Sequence, residues 1–158
     1  MGRVVTEPEL IEAMTLERAA GKSISFANGC FDLLHVGHVR YLQGAAAEAD
    51  CLVVAVNDDD SVRGLKGEGR PILSGADRVE LVAALRAVDF VVLFGDRTVE
   101  RLLLALRPDV HCKGTDYTVD SVPERAVVQG YGGRTAIVGD AKTHATRDLL
   151  ARIAASNF

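Results

Sequence analysis

Phe26-Ala27-Asn28-Gly29-Cys30-Phe31-Asp32-Leu33-Leu34-His35-Val36-Gly37-His38 is the stretch that decides the fold. The apolar run Ser23–Ala27 predicts a strand, and the run opening at His38 predicts a helix. The loop between them delivers two imidazoles to a helix N-terminus. Unpaired N–H groups and the helix dipole favour negative charge there. Gly37 lets the backbone approach a ligand closely. Either imidazole can donate a hydrogen bond to a phosphate oxygen. A polyphosphate is therefore the leading candidate ligand.

Outward from this stretch, four more apolar runs repeat the pattern: Cys51–Asn57, Phe90–Phe94, Val110–Lys113 and Thr135–Val138. They are continuous rather than alternating, as in parallel strands covered on both faces. Helical patterns lie between them at about His38–Glu48, Gly75–Ala87, Thr98–Leu106, Val122–Gln129 and Thr143–Ala154. Strands alternating with helices give right-handed βαβ units. The fold class is α/β, a Rossmann-like open parallel five-stranded sheet with helices on both faces. Thr6-Glu7-Pro8-Glu9 has a capping-box pattern, so a helix runs to about Ala20 and stops at Gly21. Residues 1–21 then form an N-terminal helical extension to a main domain over 22–158. Ligands of open parallel sheets bind beyond the strand C-termini. The segments in those places are Asn28–His38, Asn57–Arg70, Gly95–Arg97, Gly114–Tyr117 and Gly139–Thr146, and they hold nearly every polar residue of interest.

The 158 residues suffice for one domain with a real core, and 48% hydrophobic with 25% charged residues is ordinary for a globular protein. No apolar run reaches the ~18 residues of a membrane span. Met1–Glu12 carries acids and no apolar centre, unlike a signal peptide. A cytoplasmic protein without a membrane partner is expected. Cys30, Cys51 and Cys112 have no CxxC spacing, so a disulfide framework is not expected. Cys51 and Cys112 read as small core residues, and no base in sequence pairs with Cys30. A net charge of −4 disfavours a nucleic-acid surface. Arg63, Lys66, Arg70 and Arg78 nevertheless cluster, and in an acidic chain such a cluster suits a small polyanion.

No GxxxxGK[ST] loop is present, and no GxGxxG opens a helix after a strand. His-x-Gly-His takes the place of these phosphate cradles. The competing structural reading packs one histidine in the turn and leaves the other exposed. A zinc site that recruits His111, His144 or cysteines is a further rival, but only two ligands are local and no zinc spacing is met. No metal ligand is assigned.

The stretch from Phe26 to His38 resembles the cytidylyltransferase-like nucleotidyltransferase superfamily. Within it, the likeness is greatest to D-glycero-β-D-manno-heptose 1-phosphate adenylyltransferases, stand-alone or as the C-terminal half of a bifunctional kinase/adenylyltransferase. It extends from about Lys22 to Ile153 and takes in Val54–Asp59, Leu65-Lys66-Gly67, Gly69–Ile72, Asp77-Arg78, Lys113–Tyr117 and Thr143–Arg147. The resemblance implies transfer of AMP from ATP to heptose 1-phosphate, giving ADP-heptose for lipopolysaccharide and releasing pyrophosphate. It also implies Mg²⁺ with the nucleotide and a homodimer. The implied catalytic residues are His35, His38, Lys66 and Arg78. Nucleotide contacts fall to Asn28, Gly29, Cys30, Phe31, Gly37, His38, Lys113, Gly114, Val138, Thr143 and Thr146. Acceptor contacts fall to Asp32, Asn57, Asp58, Lys66, Asp116 and Tyr117. Lys66, read in a loop, suits a phosphate as a point charge, while Asn57, Asp58 and Asp116 are equally favoured turn residues.

Two departures stand out. His144-Ala145 replaces the small hydroxyl residues of the family pattern, and Thr115 stands where heptose enzymes commonly have Gly. Two alternatives remain beside the adenylyltransferase: a CTP-dependent transferase acting on glycerol 3-phosphate or a similar alcohol phosphate, and a non-catalytic nucleotide-binding module.

Overall fold

The computed structural model describes residues 1–141 and 143–156. The chain opens with β1 (Arg3–Val4) and α1 (Glu7–Ala19), followed by β2 (Ile24–Gly29) and α2 (Val36–Ala46). Next come β3 (Cys51–Asn57), α3 (Asp59–Lys66), α4 (Gly75–Ala83) and β4 (Phe90–Phe94). Then follow α5 (Glu100–Leu106), β5 (Val110–Lys113), a 3₁₀ turn at Val119–Ser121, α6 (Arg125–Gly130), β6 (Arg134–Ile137) and α7 (Thr146–Ala155).

The strands form one parallel sheet in the order β1-β4-β3-β2-β5-β6. It has six strands rather than the expected five. The extra strand is two residues long, pairing Arg3 with Phe90 and Val4 with Val91, too short to leave a periodic trace. From β2 the chain steps to β3 and β4, and later returns to the other side of β2 with β5 and β6. That reversal opens a crevice beyond the carboxyl ends of β2 and β5.

Burial on both faces accounts for the continuous apolar strands. All of Cys51–Asn57 is buried. Val53 and Ala55 join Leu10, Met14, Phe26, Leu102 and Leu103 on one face. Leu52, Val54 and Val56 join Leu42, Val79, Val82 and Val91 on the other. Leu10 and Met14 come from α1, so residues 1–21 contribute to the main core. The α1 capping box forms: the Thr6 N–H donates to Glu9 Oε2 at 2.7 Å.

Several boundaries differ from expectation. α2 starts two residues before His38 because His35 caps it. α4 ends at Ala83, four residues before Ala87. α5 and α6 begin at Glu100 and Arg125, and α7 at Thr146. The segment after β3, expected to be loop, contains α3. Asp58 nucleates it by accepting the Ser61 N–H at 2.8 Å. α3 stops at Gly67, whose φ of 95° is open to glycine at little cost. Lys66 is thus the last residue of a helix, not part of a loop.

Candidate active site

The junction of β2 and α2 builds one wall of the crevice. Phe31 and Leu33 hold φ values of 49° and 57°, left-handed conformations costly for non-glycine residues. They turn the chain so that His35 becomes the N-cap of α2. The Gly37 N–H donates to His35 Nδ1 at 3.1 Å, and the His35 N–H donates to His38 Nδ1 at 3.3 Å. A ring nitrogen that accepts an N–H carries no proton, so in the neutral rings both protons sit on Nε2. The backbone thereby selects the tautomer in which each Nε2 is a donor. The two rings stack with centroids 3.9 Å apart. Gly37 has no side chain for a steric reason, since a Cβ there would lie 2.9 Å from the His35 ring.

The walls enclose a cleft of about 780 Å³, within the usual size of a small-molecule site. The structure brings most of the sequence-derived residues to it. Asn28, Gly29, Cys30, Phe31, Asp32, His35, Gly37 and His38 line it from the β2–α2 junction. Asn57 and Lys66 line it from β3 and α3; Lys113, Gly114, Asp116 and Tyr117 line it from beyond β5. Val138, Thr143 and Thr146 complete the lining beyond β6. Lys113 Nζ lies 4.7 Å from the centre of the Tyr117 ring, a cation–π contact. The Thr146 hydroxyl donates to the Asp32 carbonyl at 2.9 Å, tying α7 to the β2–α2 loop. Thr143 does not cap α7, because the cap position is Ala145.

Two expected site residues are elsewhere. Asp58 does not line the cleft; its carboxylate caps α3. Arg78 does not line it either and has no exposure at all. Its Nη1 donates to the carbonyls of Cys30 and Asn57, both at 2.7 Å, and Nε donates to the Leu73 carbonyl at 3.0 Å. Nη2 pairs with Asp59 at 2.7 Å. One buried guanidinium thus joins the ends of β2 and β3 to the start of α3 and the segment before α4. Arg78 is a positioning residue here, with its donors committed to the protein.

Asp32 lines the cleft, but its carboxylate is equally committed. Oδ2 accepts from Arg70 Nε at 2.9 Å and from the Ile72 N–H at 2.8 Å, and Oδ1 accepts from the Leu73 N–H at 3.0 Å. Burial alone would raise this carboxyl, yet the two amides and the guanidinium together hold it below its usual range. Phe31 is nearly buried although it borders the cleft, and its ring packs against His38 and Tyr41.

His111 belongs to the support of the site. It is fully buried, and its Nε2 lies 3.0 Å from Asn28 Oδ1. Burial, aided by Lys113, pushes it down to about 3, so the ring is neutral and donates from Nε2 to Asn28. That contact fixes which way the Asn28 amide faces. Burial also raises the Cys30 thiol against the pull of Lys66, Arg78 and Arg70, as befits an unreactive cysteine. Among the described residues, no group of three or more His, Cys, Asp or Glu side chains is placed to hold a metal ion. The zinc alternative therefore has no ligand set there. No helix among the described residues is long and apolar enough to cross a membrane.

Arg70, noted in sequence only as part of a cationic cluster, also lines the cleft, as do Tyr41, Arg40 and Asp140, which the sequence did not single out. Tyr41 follows His38 by three positions on one helix face, a spacing that could have marked it. Its hydroxyl donates to the Cys112 carbonyl at 2.8 Å and anchors α2 to β5. Arg40 and Asp140 form an ion pair at 2.8 Å that no sequence spacing connects.

Comparison with known proteins agrees with this architecture. The model of the cytidylyltransferase-like family matches residues 26–154. A protein of Geobacter sulfurreducens named bifunctional protein HldE is 47% identical over 137 residues, covering 87% of this chain and 28% of that protein. A protein of the same name from Pseudomonas paraeruginosa is 48% identical over 145 residues, covering 92% of this chain and 31% of its own. The chain thus spans about a third or less of these curated relatives, 28% and 31%. The crystal structure of a lipopolysaccharide core biosynthesis protein from Thermoplasma volcanium superposes with a TM-score of 0.67 at 26% identity. That likeness covers 77% of this chain and 100% of the other.

Proposed function

The chain belongs to the cytidylyltransferase-like family, and on that premise we propose that it transfers AMP from ATP to D-glycero-β-D-manno-heptose 1-phosphate. The products are ADP-heptose and pyrophosphate. The observation that carries this activity is the pair of backbone-selected Nε2 donors at the N-terminus of α2, facing a cleft that Lys66 also lines. The relatives named HldE and the likeness to a lipopolysaccharide core biosynthesis protein support the sugar acceptor.

In this mechanism an oxygen of the acceptor phosphate attacks the α-phosphorus of ATP in line. The bond to the bridging oxygen breaks, and pyrophosphate leaves with the electron pair. The nucleophile is already an anion near neutral pH, so the protein need not remove a proton. What remains is positioning and neutralisation of charge on the α- and β-phosphates. His35 and His38 donate hydrogen bonds to that charge, assisted by the α2 dipole. Lys66 supplies a full positive charge, and the amide of Asn28, oriented by His111, contacts the nucleotide. Lys113, Gly114, Val138, Thr143 and Thr146 complete the nucleotide contacts; Asn57, Asp116 and Tyr117 contact the acceptor. No covalent enzyme intermediate forms.

Mg²⁺ fits this scheme as an ion carried by the substrate phosphates, because the described residues offer no carboxylate cage. When bound it supplies charge neutralisation on the leaving pyrophosphate. A homodimer in the cytoplasm accompanies the same assignment, on the strength of the family likeness.

The test is a coupled pyrophosphate assay on the purified chain, crossing ATP and CTP with heptose 1-phosphate and glycerol 3-phosphate. Release is expected only with ATP and heptose 1-phosphate. Release with CTP and glycerol 3-phosphate instead would assign the alternative transferase, and no release with any pair would leave a binding module.

A further inference from the structure

Arg70 has no role in the mechanism above, yet it is built unlike any other arginine of the site. Its side chain is 18% exposed and it lines the cleft. Only Nε is held, by an Asp32 carboxylate that is itself 1% exposed. Among the described residues, no protein hydrogen bond involves the two terminal nitrogens of Arg70. The contrast with Arg78 is complete, since there all three nitrogens are engaged. Exposed Arg101 also uses its whole fork, on Glu7 and Asp96.

Held through Nε alone, the Arg70 guanidinium leaves two terminal nitrogens open to solvent, where they can donate to acceptors of a ligand entering the cleft. The Ile72 and Leu73 amides share the same carboxylate and hold it in place beneath Arg70. Those two bonds also fix the backbone beside Arg70, so its position does not depend on the ion pair alone. The planar fork with two open nitrogens matches two oxygens of one phosphoryl group.

We propose that Arg70 is a substrate-phosphate clamp, aimed by Asp32, that grips a phosphoryl group in the cleft through its two terminal nitrogens. This rests on the transferase activity proposed above, whose substrates both carry phosphate. Asp32 is then a positioning residue rather than an acceptor contact. The clamped phosphate belongs either to the acceptor or to the nucleotide, and the two sources are separable by experiment.

The experiment is calorimetric titration of wild type, Arg70→Gln and Arg70→Lys with a non-hydrolysable ATP analogue, heptose 1-phosphate and inorganic pyrophosphate. Thermal melts accompany each protein. Arg70→Gln is expected to weaken the clamped ligand about 10- to 100-fold. Arg70→Lys keeps the charge but loses the fork, and should recover only part of the affinity. A loss confined to heptose 1-phosphate places the acceptor phosphate in the clamp; a loss for the analogue and pyrophosphate places the nucleotide there. If Arg70→Gln melts far below wild type, Arg70→Lys alone decides, and a several-fold loss is still expected. Unchanged affinities for all three ligands in a folded variant would overturn the clamp. Ligand binding that depends on Arg70 in a protein without turnover would sustain the clamp and overturn the proposed activity. A wild type that binds none of the three ligands overturns both.

Discussion

The β2–α2 junction and the segment from Asp58 to Arg78 line or support the same cleft, but they do so by different physics. In the junction, backbone geometry dictates what each side chain does. Two N–H groups choose the tautomers of His35 and His38, and a missing Cβ at Gly37 leaves room for the His35 ring. In the second segment, cationic side chains that sit close in sequence are sorted by long-range contacts. Arg78 is buried beneath strand-end carbonyls, Arg70 is held by Asp32, and Lys66 ends a helix. A motif on element termini carries its roles with it, whereas a charge cluster announces only an anion and leaves the division of labour to the fold.

Four experiments probe that contrast. The largest effect belongs to Arg78. Replacing it with Met strands three carbonyls, one of them at the end of β3, and should cost about 3–5 kcal/mol in urea unfolding. A drop in activity with full stability would instead make Arg78 a substrate contact. Next is His38→Ala, expected to lower kcat about 10²–10³-fold, or roughly 2.7–4 kcal/mol, with a melt near wild type. An equal loss of stability and activity would mean that the histidine serves only the fold.

His111 gives a smaller, pH-dependent signature. Its value falls from the ordinary one to about 3 on folding. Between about 6.5 and 3 the unfolded chain therefore binds a proton that the folded chain does not. Stability from the neutral ring is present above that window and is lost as pH falls through it, by about 1.4 kcal/mol per pH unit. Urea melts at pH 7, 6 and 5 should reveal this slope, and His111→Gln should flatten it. Smallest is Asp58→Ala, expected to cost about 1 kcal/mol through loss of the α3 cap while KM for the acceptor stays constant. A raised KM with unchanged stability would return Asp58 to the acceptor site.

The same contrast explains what could be read from the chain. Cys51–Asn57, Phe90–Phe94 and Val110–Lys113 coincide with their strands because burial on both faces writes a continuous apolar run. Ligands of open parallel sheets bind beyond the strand carboxyl ends, so the histidines could be placed at the crevice, whereas the strand order itself left no trace in the sequence. α3 escaped because Val62 is its only buried residue, and its polar composition is that of a loop. Arg78 lies near the start of α4 with Asp77 beside it and Glu80 two positions on, a pattern typical of an exposed helix. Two of the three carbonyls that bind it come from residues 21 and 48 positions away, beyond the reach of any local pattern.

The most direct measurement is ³¹P NMR of the purified chain with ATP, Mg²⁺ and heptose 1-phosphate. The account predicts that the heptose 1-phosphate signal is replaced by a diphosphate ester of ADP-heptose, with one pyrophosphate formed per ester and none when the acceptor is omitted. Unchanged spectra, or hydrolysis of ATP without a new ester, would contradict it.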